Sequence, residues 1–238
     1  MADGIYVGMA AAAARAAQLD SISDNLVNAE TPGFKASRPA FQSFMPGGQG
    51  SDKILSAAVA TGIDTRPGVT SPTDNPLDIV PQPDTFLSVM TGSGAKAYTR
   101  NGHIEVGPEG ELTVGGNALL DDQGRPMSVP PTSTPTITEA GEVFADNAPV
   151  GRLGLFHISG GLDRIGPTLM APGAGAQVTA LEDNEVQVRV GELELGNAPA
   201  LEATIQMITA QRHFDSAMQA IQTYRRLDEK AIEVGKIR

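Results

Sequence analysis

At 238 residues the chain has room for one large domain or two small ones, and its net charge of −11 argues against nucleic acid or an anionic membrane as a partner, since both reward a basic surface. It has no cysteine, which excludes a disulfide frame, a thiolate metal site and a cysteine nucleophile, and no apolar run of about 18 residues that would span a bilayer. The charge is uneven. Residues 1–31 carry one basic residue against four acidic ones (net −3), residues 199–238 carry six basic and five acidic (net +1), and the middle holds the remaining −9. Nearly neutral ends can pack in numbers while an acidic middle stays solvated.

Residues Ile5, Met9, Ala12, Ala16, Leu19, Ser23 and Leu26 recur at four-three spacing. That is a heptad seam, and the alanines around it favour helix. Asp3 stands where a secretory signal would carry basic residues, so the segment reads as structure and any export as signal-independent. Asn28 to Gly33 stops the helix, because Pro32 disfavours helix at the residue before it and Pro-Gly favours a tight turn. From Phe34 to about Asp64 the pattern is weak. Gly47, Gly48 and Gly50 suggest a flexible loop, and Ile54–Val59 a short strand. Arg66 to Val80 is dense in Pro, Thr, Asp and Asn, and Thr85–Met90 predicts a strand.

The middle carries turn signals about every seven residues: Asn101-Gly102, Pro108-Glu109-Gly110, Gly115-Gly116-Asn117 and Asp122-Gln123-Gly124. The short alternating runs between them, His103–Val106, Glu111–Val114, Ala118–Leu120 and Met127–Val129, predict a meander. Further strands are expected at Thr136–Thr138, Glu142–Ala145, Arg152–Ile158, Gln177–Leu181 and Val186–Val190. At the far end Ala200, Ala203, Met207, Ala210, Phe214, Ala217, Ile221, Tyr224 and Ala231 repeat the three-four rhythm, with Asp228 the one break. A helix of roughly 35 residues would be about 50 Å long, so it must project or pair. Leu201, Ile205 and Ile208 form a second apolar stripe beside the first. The predicted class is mixed α and β: N- and C-terminal heptad helices forming a coiled coil, with an all-β middle body. The expected divisions are 1–31, 32–79, 80–190 and 191–238. Both helices bury little beyond alanine, so the ends are expected to be frayed alone and to order on assembly.

The pattern holds no catalytic constellation. His103, His157 and His213 have no metal-ligand spacing, and no cofactor fingerprint is present. Glu105, Glu109, Glu111, Asp121 and Asp122 cluster, as a glycan hydrolase would need, but charged residues on strand edges ordinarily keep sheets from pairing with one another. A wall-glycan hydrolase and a secreted β-rich binding module remain the alternatives from other classes.

Ser23-Asp24-Asn25-Leu26-Val27-Asn28-Ala29-Glu30-Thr31-Pro32-Gly33-Phe34-Lys35 resembles the N-terminal signature of the rod and hook family of bacterial flagellar axial proteins. Asn75-Pro76-Leu77-Asp78 is similar to the family's second motif. Tyr98-Thr99-Arg100-Asn101-Gly102, followed by Gly110-Glu111-Leu112 and Gly124-Arg125-Pro126, is similar to its third. Gly191-Glu192-Leu193-Glu194, with Asn197 and Gln211-Arg212-x-Phe214, is similar to its C-terminal signature. Two departures stand out: Gln82-Pro83-Asp84-Thr85-Phe86-Leu87 replaces a Gly-Asp-Gly-Phe-Phe run, and Leu195-Gly196-Asn197 replaces a Ser-Asn-Val turn. The resemblance implies a rod subunit of proximal type, with the distal type as the alternative. It also implies that the subunit polymerises into a drive shaft in the basal body across the periplasm, is exported by the flagellar export apparatus, and takes as partners other rod subunits and copies of itself. No cofactor, nucleic acid or membrane insertion is implied. The assembly interface would comprise Ile5, Met9, Ala12, Ala16, Leu19, Leu26, Leu201, Ile205, Met207, Ile208, Phe214, Ala217, Ile221 and Tyr224. The motif turn would be Asn25, Asn28, Thr31, Pro32 and Gly33, with Phe34 as a buried anchor.

Overall fold

The computed structural model describes residues 2–44, 55–182 and 184–236. The loop glycines Gly47, Gly48 and Gly50, and Ile54 at the start of the strand expected at Ile54–Val59, lie outside the described residues. The chain forms two units: residues 1–27, 37–62 and 199–238 make one, residues 28–36 and 63–198 the other.

The first unit is built on helices α1, Ala2–Val27, and α2, Ala200–Lys236. Among the described residues no helix is long and apolar enough to cross a membrane. The helices pack on each other. Ile22, near the end of α1, sits with Ala203 and Ala210, near the start of α2, while Leu19, Leu26 and Met207 close around them. Gly8, near the start of α1, meets Ile221, far along α2: a Cβ on Gly8 would lie 2.7 Å from Ile221 Cγ1. The helices therefore run antiparallel. Alanine and glycine at the contact let the two backbones approach, and the larger Ile and Met fill the space beside them. Strands Ser37–Phe44 and Leu55–Ile63 pair in a two-stranded sheet. The Asn25 amide ties it to α1 by donating to Ser37 O (2.9 Å) and accepting from Ser37 N (2.8 Å).

The second unit is β-rich. Its sheet of nine strands centres on Thr85–Met90, which lies between Lys96–Thr99 on one side and both Leu155–Ser159 and Asn117–Leu119 on the other. This strand is buried on both faces. Leu87 and Val89 enter one core with Ile79, Ile104, Leu112 and Leu119, and Phe86 enters a second with Tyr98, Phe156 and Met170. Side chains alternate across a strand, so one six-residue run serves both cores. Tyr98 and Phe156 meet edge to face at 5.6 Å.

The expected meander is present from Ile104 to Leu119, with Gly115 and Gly116 at positive φ turning Val114 back onto Asn117. The strand expected at Met127–Val129 reduces to a single bridge from Ser128 to Glu111, and three other local readings change. Asn101-Gly102 is not a hairpin turn: Gly102 presses on Ile79, where a Cβ would lie 1.7 Å from the carbonyl oxygen, and the chain crosses there between strands. The run Arg152–Ile158 splits into Ala148–Arg152 and Leu155–Ser159, in different sheets, because Gly154 is pinned between Asp121 O and Ser88. Strands Leu162–Arg164 and Leu169–Pro172 escape the sequence pattern because they are too short to show alternation. At the first family departure, Asp84 takes φ +59, and Thr85 closes the turn onto Gln82 O by its N–H (3.3 Å) and hydroxyl (2.8 Å).

Ala210 is 1% exposed between the helices. Ala210→Leu overpacks that contact at a cost of about 1–3 kcal/mol. The helical signal at 222 nm should melt roughly 5–15 °C lower, with the β unit's transition unchanged.

Candidate functional site

The helix seams divide once folded. Ala12 and Ile221 are buried, and Ile5, Ala16, Leu19, Leu26, Met207, Phe214 and Ala217 are half-buried. Leu201, Ile205, Ile208, Met9 and Tyr224 are exposed, Leu201 at 77% and Ile205 at 58%. The sequence-derived interface thus separates into a face used within the chain and a face left outward.

The motif segments converge elsewhere, in the β unit. After α1, Thr31 N donates to Asn28 O (3.1 Å) and the Thr31 hydroxyl to Asn28 Oδ1 (3.2 Å). Pro32 is half-buried, and Gly33 turns at φ +70 with its N–H on Glu194 O (2.7 Å). A Cβ there would sit 2.0 Å from Asn101 N, so only glycine fits. Phe34 is 2% exposed, with the Arg164 guanidinium 4.7 Å over its ring.

Beside it lies a set of residues that the sequence alone did not single out. Glu194, 1% exposed, is held between Lys35 and Arg100. Lys35 Nζ donates to Glu194 Oε1 (2.6 Å) and to Arg66 O (2.8 Å). Gly68 N donates to the same carboxylate oxygen (2.8 Å). Arg100 donates to Glu194 Oε2 through Nε (3.0 Å) and through Nη2. Its remaining donors go to the carbonyls of Gln82, Thr85 and Pro81. Four donors therefore saturate one carboxylate. Burial alone would push the Glu194 carboxyl up, but the charge of Arg100, the hydrogen bond and charge of Lys35 and the Gly68 N–H outweigh it and hold the group below its ordinary value of 4.5.

Asn197 completes the joint. Its Oδ1 accepts from Ala36 N (2.6 Å), and its Nδ2 donates to Asp64 O (2.7 Å) and Arg66 O (2.9 Å). The preceding Gly196 lies against Asn28 and Ala29, whose carbonyl oxygens a Cβ would approach to 2.6 Å. The second motif attaches at the other edge: Asp78 Oδ1 meets His103 Nδ1 at 2.7 Å, and Asp78 O accepts from Gly191 N (2.8 Å). All four motifs are thereby stitched together. A sequence signal existed, since Lys35, Arg100, Glu194 and Asn197 all lie inside them, but nothing in the spacing revealed that they meet.

Two of the carboxylates considered for catalysis, Asp121 and Glu111, serve as loop closures. Asp121 Oδ1 accepts from Gln123 N (2.9 Å) and Arg125 N (2.7 Å), and Oδ2 from Arg125 Nε (2.8 Å). Burial acts upward on Asp121, but these bonds with Arg125 and its charge hold its pKa down. Glu111 Oε2 accepts from Glu109 N (3.0 Å), and Glu105 is exposed. A cleft of about 840 Å³ opens beside the joint, with Arg100 and Glu194 in its wall already engaged with each other. The arrangement binds chain to chain.

Comparison with known proteins agrees with this layout. Residues 5–35 match a family model described as flagella basal body rod protein, and residues 190–234 one described as flagellar basal body rod FlgEFG protein C-terminal. The chain is 36% identical over 238 residues to flagellar basal-body rod protein FlgF of Salmonella typhimurium, covering 93% of each. It is 34% identical over 235 residues to FlgF of Escherichia coli, again covering 93% of each. To flagellar basal-body rod protein FlgG of Caulobacter vibrioides it is 29% identical over 241 residues, covering 89% of this chain and 91% of the relative.

Glu194→Gln leaves two buried cations without a counter-charge, and breaking a buried pair costs about 3–5 kcal/mol. A carboxylate with a lowered pKa contributes stability that is complete above its unfolded value and lost as pH falls through the folded one. Urea denaturation should therefore show the full wild-type advantage at pH 7. The gap should close as the pH drops below 4.5.

Proposed function

The chain belongs to the flagellar basal-body rod protein family, and on that premise we propose that it is a structural subunit of the rod, of the proximal type represented by its FlgF relatives. Its work is mechanical. The observation that carries this reading is the convergence of Lys35, Arg100 and Glu194 on one buried joint. The segment that follows α1 and the segment that precedes α2 are locked to each other and to the β core there. A subunit that transmits torque needs its helical and β parts joined by connections that do not slip, and a saturated, desolvated ion cluster resists shear better than a mobile loop.

In this reading the antiparallel helices pack as a coiled coil and line the inside of a helical tube. The acidic surface of the β unit stays solvated in the periplasm. The outward residues Leu201, Ile205 and Ile208, with Met9 and Tyr224, meet neighbouring subunits, both copies of this chain and other rod proteins. Repeated head-to-tail contacts build an open filament rather than a ring. Helices that bury mainly alanine cost little to unfold, which suits passage through the flagellar export apparatus.

Expression of the chain should restore swimming to a strain lacking its FlgF-type rod protein and not to one lacking FlgG, and the chain should co-purify with basal bodies. Ile205→Asp, at a position 58% exposed, should leave the monomer's melting unchanged and abolish swimming. Normal swimming by that variant would remove Ile205 from the interface.

A further inference from the structure

One face of α2 is exposed from Leu201 to Lys230, away from the residues that meet α1. The residues toward α1 are Ala203, Met207, Ala210 and Ile221. On the opposite side Leu201, Ile205 and Ile208 recur at four and three, exposed at 77%, 58% and 50%. Glu202, also exposed, flanks this stripe. Stepping on by threes and fours through Arg212, Asp215, Gln219 and Gln222 brings the same face to Arg226 and Lys230, with Leu227 beside them at 50% exposure. Neither Arg226 nor Lys230 has an ion-pair partner among the described residues. The face thus starts as an apolar stripe with an acidic flank and near its end carries two cations beside a single exposed leucine.

We infer that these two patches are complementary halves of one contact between copies of this chain, in which the Arg226–Leu227–Lys230 patch of one copy docks on the Leu201–Ile205–Ile208 stripe of the next. The inference deepens the rod reading and rests on it, because a shaft with one polarity needs a heterologous contact that repeats. The fit is chemical. Leu227 adds apolar area to a stripe that otherwise faces water, and the two cations flanking it meet the Glu202 side of the stripe. Pairing the two stripes, or the two basic patches, would oppose like charges or leave the cations unmatched. The contact therefore selects the head-to-tail arrangement.

The chain's lack of cysteine makes the test direct. Residues 205 and 227 are separated by about 33 Å along one helix, so a cross-link between them must join two molecules. The double variant Ile205→Cys with Leu227→Cys, oxidised under mild conditions, should give a ladder of disulfide-linked oligomers. Adding Arg226→Glu and Lys230→Glu should cut the yield about tenfold or more, and adding Glu202→Lys to those should recover it. Circular dichroism of each variant should match the parent, so that loss of the ladder is not loss of the helix. Dimers without a ladder would indicate a closed, two-fold contact and overturn the proposal, as would no cross-link, or a ladder indifferent to the charge reversals. The rod reading has its own readout. If the wild-type chain restores swimming while the ladder fails, only this contact is wrong, and if the chain does not restore swimming, the reading beneath it falls.

Discussion

A carboxylate taken out of water is costly unless its charge and lone pairs are met, and Glu194 is met completely. Lys35 and Arg100 supply two positive charges, and with Gly68 they supply four hydrogen bonds. Removing any one partner leaves the others buried and uncompensated. That makes the cluster intolerant of displacement, which is a different property from being strongly stabilising. The surrounding strands need such a fixed point. Thr70–Pro72 and Glu192–Glu194 pair only with each other over three residues, and two-stranded ribbons of that length are marginal in water. The ion cluster and the Asn197 amide settle which backbone groups lie opposite which.

The helical unit solves a different problem. Alanine and glycine at its inner contact allow close approach but remove little apolar area from water. Most of the large apolar side chains of early α2 point the other way, at Leu201, Ile205 and Ile208. A helix pair that turns its bulk outward removes little apolar area from water within the chain. The β unit, with two cores meeting at Thr85–Met90, carries its own stability. One chain therefore combines a body with two apolar cores of its own and a helix pair whose larger apolar side chains lie outward.

The charges follow the same division. In the β unit, carboxylates such as Asp121 and Glu111 accept backbone N–H groups and close turns, so acidic clusters that resemble catalytic pairs in sequence turn out to be fasteners. On the helices, Arg226 and Lys230 close nothing among the described residues.

Local and periodic features were legible without coordinates. The four-three spacing set both helices, Pro32-Gly33 set the end of the first, and Gly115-Gly116 set a turn, because each depends on residues within one or two turns of chain. The family motifs could be read for the same reason, as short runs of fixed order. Two things were decided only by folding. One was which half of each seam faces its partner helix, since a heptad pattern specifies an apolar face but not what covers it. The other was that Lys35, Arg100 and Glu194 share one buried site. Their pairing spans 159 and 94 residues, and Coulomb attraction between distant positions leaves no periodic trace in a sequence. Only the strand registers that carry residues 35, 100 and 194 to the same few ångströms create that interaction, and the motifs named its members without naming the bond.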